Sequence, residues 1–144
     1  MYPTADKISR KVMESVPDYI NDSEILQQLQ SNKINWQHVL AIKQTTDFND
    51  DIISEWLNVS VKTFREYKKP HAHLKENTRE HVLLLLSVIK HGISVFGSVT
   101  LFENWLKQKN IFFDQRSPMT FMNTITGIKL IDDRLTAMEY GDNI

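Results

Sequence analysis

The stretch from Asn77 to Phe96 constrains this chain more than any other. Asn77 suits a helix N-cap. Val82, Leu83, Leu84, Leu85, Leu86, Val88, Ile89, Ile93 and Phe96 then cover most of a helical circumference. Ser87, Lys90, His91 and Ser94 fall on one narrow polar face by i, i+3, i+4, i+7 spacing. A helix this apolar must be buried on several sides. It is therefore the central helix of a module or the seam of a dimer. With only four Gly and four Pro in 144 residues, the chain is too poor in turn residues for a β protein, and an all-α fold is expected. A hydrophobic share of 41% and a charged share of 24% are ordinary for a globular domain, which excludes long disorder and a coiled-coil rod.

Other classes fall away as quickly. The longest apolar run, Val82 to Leu86, is far short of the ~20 residues a membrane helix needs, so no membrane partner is expected. Met1 to Arg10 contain no apolar h-region of a secretory signal. Cysteine is absent, which removes disulfides, thiolate metal sites and cysteine nucleophiles and fits a cytoplasmic setting.

Spacing predicts further helices on both sides. Ile8, Val12, Met13 and Val16 mark one that Pro17 should end. Asp22 or Ser23 can cap a second through Ile25, Leu26 and Leu29, and a third covers about Ile34 to Ile42. Asn49-Asp50-Asp51 reads as a cap followed by acids where the helix dipole favours them. After Gly97, Ser98 starts a helix with Leu101, Phe102, Trp105 and Leu106 inward. Ser117-Pro118 opens a short helix that Gly127 should end, and Ile128, Ile131, Leu135 and Met138 face inward on a last one. The aperiodic connector near 70–77 divides an N-terminal helical region, 1–75, from a C-terminal one, 76–144.

Asp50 to Lys69, DDIISEWLNVSVKTFREYKK, has the pattern of a helix-turn-helix. Ile53, Leu57, Val59, Phe64 and Tyr67 would pack the pair. Ser54 is small where the helices cross, Asn58 suits a left-handed turn position, and Ser60 caps the second helix. Charge supports it. Residues 1–59 carry a balance of −4 and residues 76–144 one of −1, whereas residues 60–75 carry +4, the footprint of a polyanion-binding surface. The candidate DNA-binding residues are Ser60, Lys62, Thr63, Arg65, Lys68 and Lys69. Lys62 and Arg65 can donate to guanine edges or phosphates, Ser60 and Thr63 to phosphates, and Lys68 and Lys69 suit salt-dependent phosphate contacts.

Residues for chemistry are sparse, and no enzyme activity, metal or cofactor is expected. His71-x-His73 with His81 and His91 is loosely spaced and reads as a solvated connector rather than a metal site. Asp132 and Asp133, adjacent on a helix, point apart and read as a solvated face. Trp36, Trp56 and Trp105 read as core, with Trp56 nearest the exposed side.

From Arg79 to Gly141 the chain also resembles the C-terminal domain of the Xre/MbcA/ParS antitoxins, partners of RES-domain toxins. The resemblance lies in Phe96-Gly97-Ser98, Trp105-Leu106, Asn110, Pro118, Phe121-Met122-Asn123-Thr124-Ile125-Thr126-Gly127 and Glu139-Tyr140-Gly141, in that order. The upstream helix-turn-helix fits as well, since that family joins an Xre-like DNA-binding region to this domain. One departure is the loop before Pro118, usually glycine-rich there but Ile111-Phe112-Phe113-Asp114-Gln115-Arg116-Ser117 here.

The resemblance implies an N-terminal Xre-like region followed by a small helical toxin-binding domain. It implies neutralisation of a NAD-consuming RES-domain toxin by binding, a homodimer, and operator DNA through which the operon represses itself. Carried over, the toxin-contacting residues are Glu139, Tyr140, Gly141, Asp142, Asn143 and Ile144. The alternative is a stand-alone transcription regulator whose C-terminal domain only dimerises.

Overall fold

A computed structural model describes residues 3–141. They form α1 (Ala5–Ser15), α2 (Asp22–Gln30), α3 (Trp36–Thr45), α4 (Asp50–Trp56), α5 (Val61–Tyr67), α6 (Glu76–Phe96), α7 (Val99–Lys107) and α8 (Ile125–Glu139). Two 3-10 turns, Ile111–Phe113 and Pro118–Phe121, join α7 to α8. The fold is all-α; among the described residues the single strand-like pairing is an isolated bridge between Asn110 and Arg116.

Short polar side chains set most helix starts. Thr4, Asn21, Asn35, Asn49, Ser60, Ser98 and Thr124 each accept a backbone N–H of the first turn they precede. The cap of α2 is Asn21 rather than Asp22 or Ser23, and α6 begins at Glu76 without a side-chain cap. Gly127 does not end a helix. It lies in the first turn of α8, where a Cβ would run into the Phe121 carbonyl oxygen. Glycine is needed there for the close approach of the preceding 3-10 turn.

The long apolar helix is internal. Eleven residues of α6 are buried, His81 to Ile89 without a break, and α2, α3, α7 and α8 all pack against it. Its apolar surplus is thus accounted for within one chain, and the core runs across the 75/76 boundary. At the C-terminal end Gly97 takes φ 85° and the chain bends by 107° into α7. Gly92 has no room for a Cβ because the Phe102 ring lies on it, which lets α7 cross closely. Phe96, Trp105, Phe113 and Phe121 continue the core as a file of rings 5.4–5.8 Å apart.

Two residues of the polar face of α6, Ser87 and Lys90, are held by the end of α1 and the loop after it. The Ser87 hydroxyl donates to the Pro17 carbonyl. Lys90 donates to the Met13 and Val16 carbonyls at 2.7 and 2.8 Å and pairs with Asp18. A cation there meets the unpaired carbonyls of a helix C-terminus. No single helix among the described residues is long and apolar enough to cross a membrane.

Candidate functional site

Two surfaces collect the residues that sequence singled out. The first is α4, residues 57–60 and α5. Ile53 and Phe64 are fully buried and Leu57 nearly so, while Val59 and Tyr67 pack partly against them. Ser54 is buried at the crossing and donates to the Asp51 carbonyl. Asn58 adopts φ 58°, a left-handed conformation that few side chains tolerate. Its amide also donates to the Asn123 carbonyl at 2.9 Å, tying the turn to the segment that leads into α8. Trp56 is buried with its edge toward Phe48, so it belongs to the core and not to the surface.

The basic residues of α5 differ in how they are held. Ser60 caps the helix by accepting from the Thr63 N–H and donates its own hydroxyl to Thr63 Oγ1. Lys62 is exposed. Arg65 is exposed too, yet its Nε donates to Asp50 Oδ2 at 2.9 Å. Asp50 Oδ1 lies 3.0 Å from Lys43 of α3. The Lys43 ammonium beside it and the hydrogen bond from Arg65 hold the Asp50 carboxyl down to about 2. Lys69 pairs with Glu66 on its own helix. Lys68 lies over the Phe64 ring at 4.7 Å, and desolvation lowers its pKa. Sequence reading took Asp50 only as a dipole-favoured acid. Its role as the shared partner of two cations depends on the crossing of α3, α4 and α5, which spacing along one helix does not reveal.

The second surface is built by the end of α6 with α7, α8 and the loop between them. Here the structure corrects the reading of Asp132 as solvated. Asp132 is 4% exposed; Oδ1 lies 2.7 Å from His91 Nδ1, and Oδ2 accepts the Ile20 N–H. Asp133, beside it, is exposed as expected. The other ring nitrogen of His91 bonds to Glu139. Burial pulls the His91 pKa down, but the two carboxylates outweigh it and the net shift is upward. Glu139 is therefore tied to α6, while Tyr140 is 87% exposed and Gly141 takes φ 95°. Asp142, Asn143 and Ile144 lie outside the described residues.

The loop without glycines is closed by unusual backbone. Asp114 and Gln115 both take left-handed φ, 58° and 62°, and the Gln115 N–H donates to the Asn110 carbonyl. Phe113 turns into the core. Phe112 stays half-exposed with the Arg134 guanidinium stacked 3.5 Å from its centroid, and Ile111 is 72% exposed. Leu130 lies one turn before Arg134 on α8 and is also exposed. Ile111, Phe112 and Leu130 thus leave apolar side chains exposed on this loop and on α8.

The histidines are dispersed. His81 is buried and donates to the Met122 carbonyl, His91 serves Asp132 and Glu139, and His71 and His73 are exposed. Burial lowers the pKa of His81. No group of three His, Asp or Glu among the described residues is arranged to hold a metal.

With this geometry in view, comparison with known families is specific about the second surface. Residues 91–141 match the family model of the antitoxin Xre/MbcA/ParS C-terminal toxin-binding domain. The matched segment opens on His91 and contains both of its carboxylate partners, the ring file from Phe96 to Phe121, and the exposed residues Ile111, Phe112, Leu130 and Tyr140. The match supports an Xre/MbcA/ParS-type antitoxin. No curated protein matches the chain.

Proposed function

We propose that this chain is an antitoxin that neutralises a RES-domain, NAD-consuming toxin by binding it, and that it represses its own operon through α4 and α5. The observation that carries the toxin half is the match of residues 91–141 to a toxin-binding domain. The exposure of Ile111, Phe112, Leu130 and Tyr140 within this segment supports it, since exposed aromatic and aliphatic anchors, Phe112 with an arginine stacked on it, suit a protein interface. The protein performs no chemistry in this reading and works in the cytoplasm without a cofactor.

The operator half is supported by the left-handed Asn58 turn, the buried crossing of α4 on α5, and the cations displayed on α5. A helix presented in this way fits a major groove. Dimerisation is proposed on the family resemblance alone, because α6 spends its apolar surface inside the chain. A homodimer would place two α5 helices on a roughly palindromic operator.

The test is co-expression of the tagged full chain with the protein encoded by the adjacent reading frame, followed by purification. A stoichiometric complex is expected, and deletion of residues 140–144, which keeps Glu139 and its bond to His91, should abolish it while leaving the helical content unchanged. Recovery of this chain alone, folded and with the neighbour also folded, would leave the stand-alone regulator as the function. For the operator, Lys62→Ala and Arg65→Ala should each weaken binding by about 1–3 kcal/mol if they meet base edges. Unchanged fluorescence anisotropy for both would move the interface away from α5.

A further inference from the structure

We propose that Asp50, which lies on α4 and not on α5, is a specificity-determining residue that presents Arg65 to a guanine. The inference rests on the reading of α5 as the DNA-contacting helix. An arginine has five N–H donors in a planar fork. Here Nε is committed to Asp50 Oδ2 at 2.9 Å, which leaves the two Nη groups for another acceptor pair. The O6 and N7 of guanine in the major groove are such a pair and take an arginine in bidentate fashion.

The support is itself fixed. The Asp50 side chain is 19% exposed, Lys43 of α3 holds its other oxygen at 3.0 Å, and it belongs to the first turn of α4 behind the Asn49 cap. The Lys69–Glu66 pair differs in kind. Both members are more than half exposed on one helix, so the pair can open to any phosphate. Holding Arg65 in one direction reduces the rotamer freedom it must lose on binding. It also puts a negative charge beside the basic face, which opposes indiscriminate attraction to the phosphate backbone. Asp50 therefore acts as a positioning residue with two effects of opposite sign. It strengthens discrimination for a guanine and weakens binding to unrelated duplex.

The experiment uses the full-length protein and a pool of random-sequence DNA duplexes, selected by binding and read by sequencing. Fluorescence anisotropy then follows the selected duplex, its guanine-substituted forms and an unrelated duplex. The wild-type protein is expected to select sites with a fixed guanine. Asp50→Ala should cut the preference for that guanine about tenfold, the scale of one bidentate contact, while binding to the unrelated duplex is equal or tighter. Arg65→Lys, which keeps the charge and removes the fork, should lose the same preference. Asp50→Asn retains an oxygen for Nε and should keep most of it, which separates positioning from damage to the fold. Selection of the same guanine with undiminished preference by Asp50→Ala overturns the proposal and leaves the DNA reading intact. Selection of no sequence by the wild-type protein overturns both.

Discussion

His38 shows how much one side chain can set. It sits in the first turn of α3, buried, and its Nδ1 accepts the Asn35 N–H in a capping box. Burial lowers its pKa to about 4. A histidine kept neutral in the fold and free to protonate when unfolded makes stability fall as pH drops below 6.5, and the loss levels off below about 4. A shift of this size corresponds to about 3 kcal/mol across that window. His38→Gln supplies another acceptor at the same capping position. Urea melts of this variant are expected to show a flatter pH profile between 6.5 and 4 than the wild type, and an unchanged profile would contradict the account. Asn58 is a second case. Asn58→Ala loses the bond to Asn123 and keeps the left-handed strain, at a cost of about 1–3 kcal/mol by denaturant unfolding. Its backbone conformation was legible in sequence because asparagine in a tight turn has few other reasons to be there. The Asn123 bond was not, since its partner lies far along the chain.

At the scale of elements, α6 and α8 are clasped by His91 between Asp132 and Glu139. The His91 pKa is raised in the fold, so this contribution is complete below 6.5 and fades as pH rises through the folded value. His91→Leu leaves Asp132 buried without its cation, although the Ile20 N–H remains, and should destabilise by about 3–5 kcal/mol. Hydrogen exchange should show the end of α8 opening first. Apolar periodicity located the buried stripes of α6 and α8 and most of that of α7, because apolar spacing reports burial directly, but it turned Leu101 inward where the structure leaves it 53% exposed. It misread Asp132 because a carboxylate facing the core looks, along one helix, like a carboxylate facing water. It also misread Gly127 as a terminator. Glycine serves both at helix ends and where a backbone passes close, and here the Phe121 carbonyl decides. Gly127→Ala is therefore expected to cost about 1–3 kcal/mol in a thermal or urea melt, although alanine is the better helix former.

For the whole molecule, α6 belongs to both halves. The linker near 70–77 is real as a break in periodicity, yet α2 and α3 lean on the same helix as α7 and α8. Unfolding should therefore be a single transition. Single-tryptophan variants retaining Trp36 in one half or Trp105 in the other should melt together, and Leu85→Ala should shift both by about 2–5 kcal/mol. Two separated transitions would mean that the halves fold independently. Sequence alone left the long helix open between an internal strut and a dimer seam, because an apolar surface does not name what covers it. The segment that matches the toxin-binding domain model was more legible, since its landmarks are turn residues and aromatics at fixed spacing and not a bare pattern of polarity. Asp50, by contrast, acquires its role only when three helices converge.

The most direct measurement is intracellular NAD and growth in a bacterial host that expresses the adjacent reading frame, with and without this chain. NAD should collapse when the neighbour is expressed alone. It should recover when the full chain is present, and equally when Lys62 and Arg65 are both changed to Ala, since those residues are assigned to DNA and not to the toxin. A neighbour that leaves NAD untouched, or NAD that stays depleted beside a folded and expressed chain, would contradict the central claim.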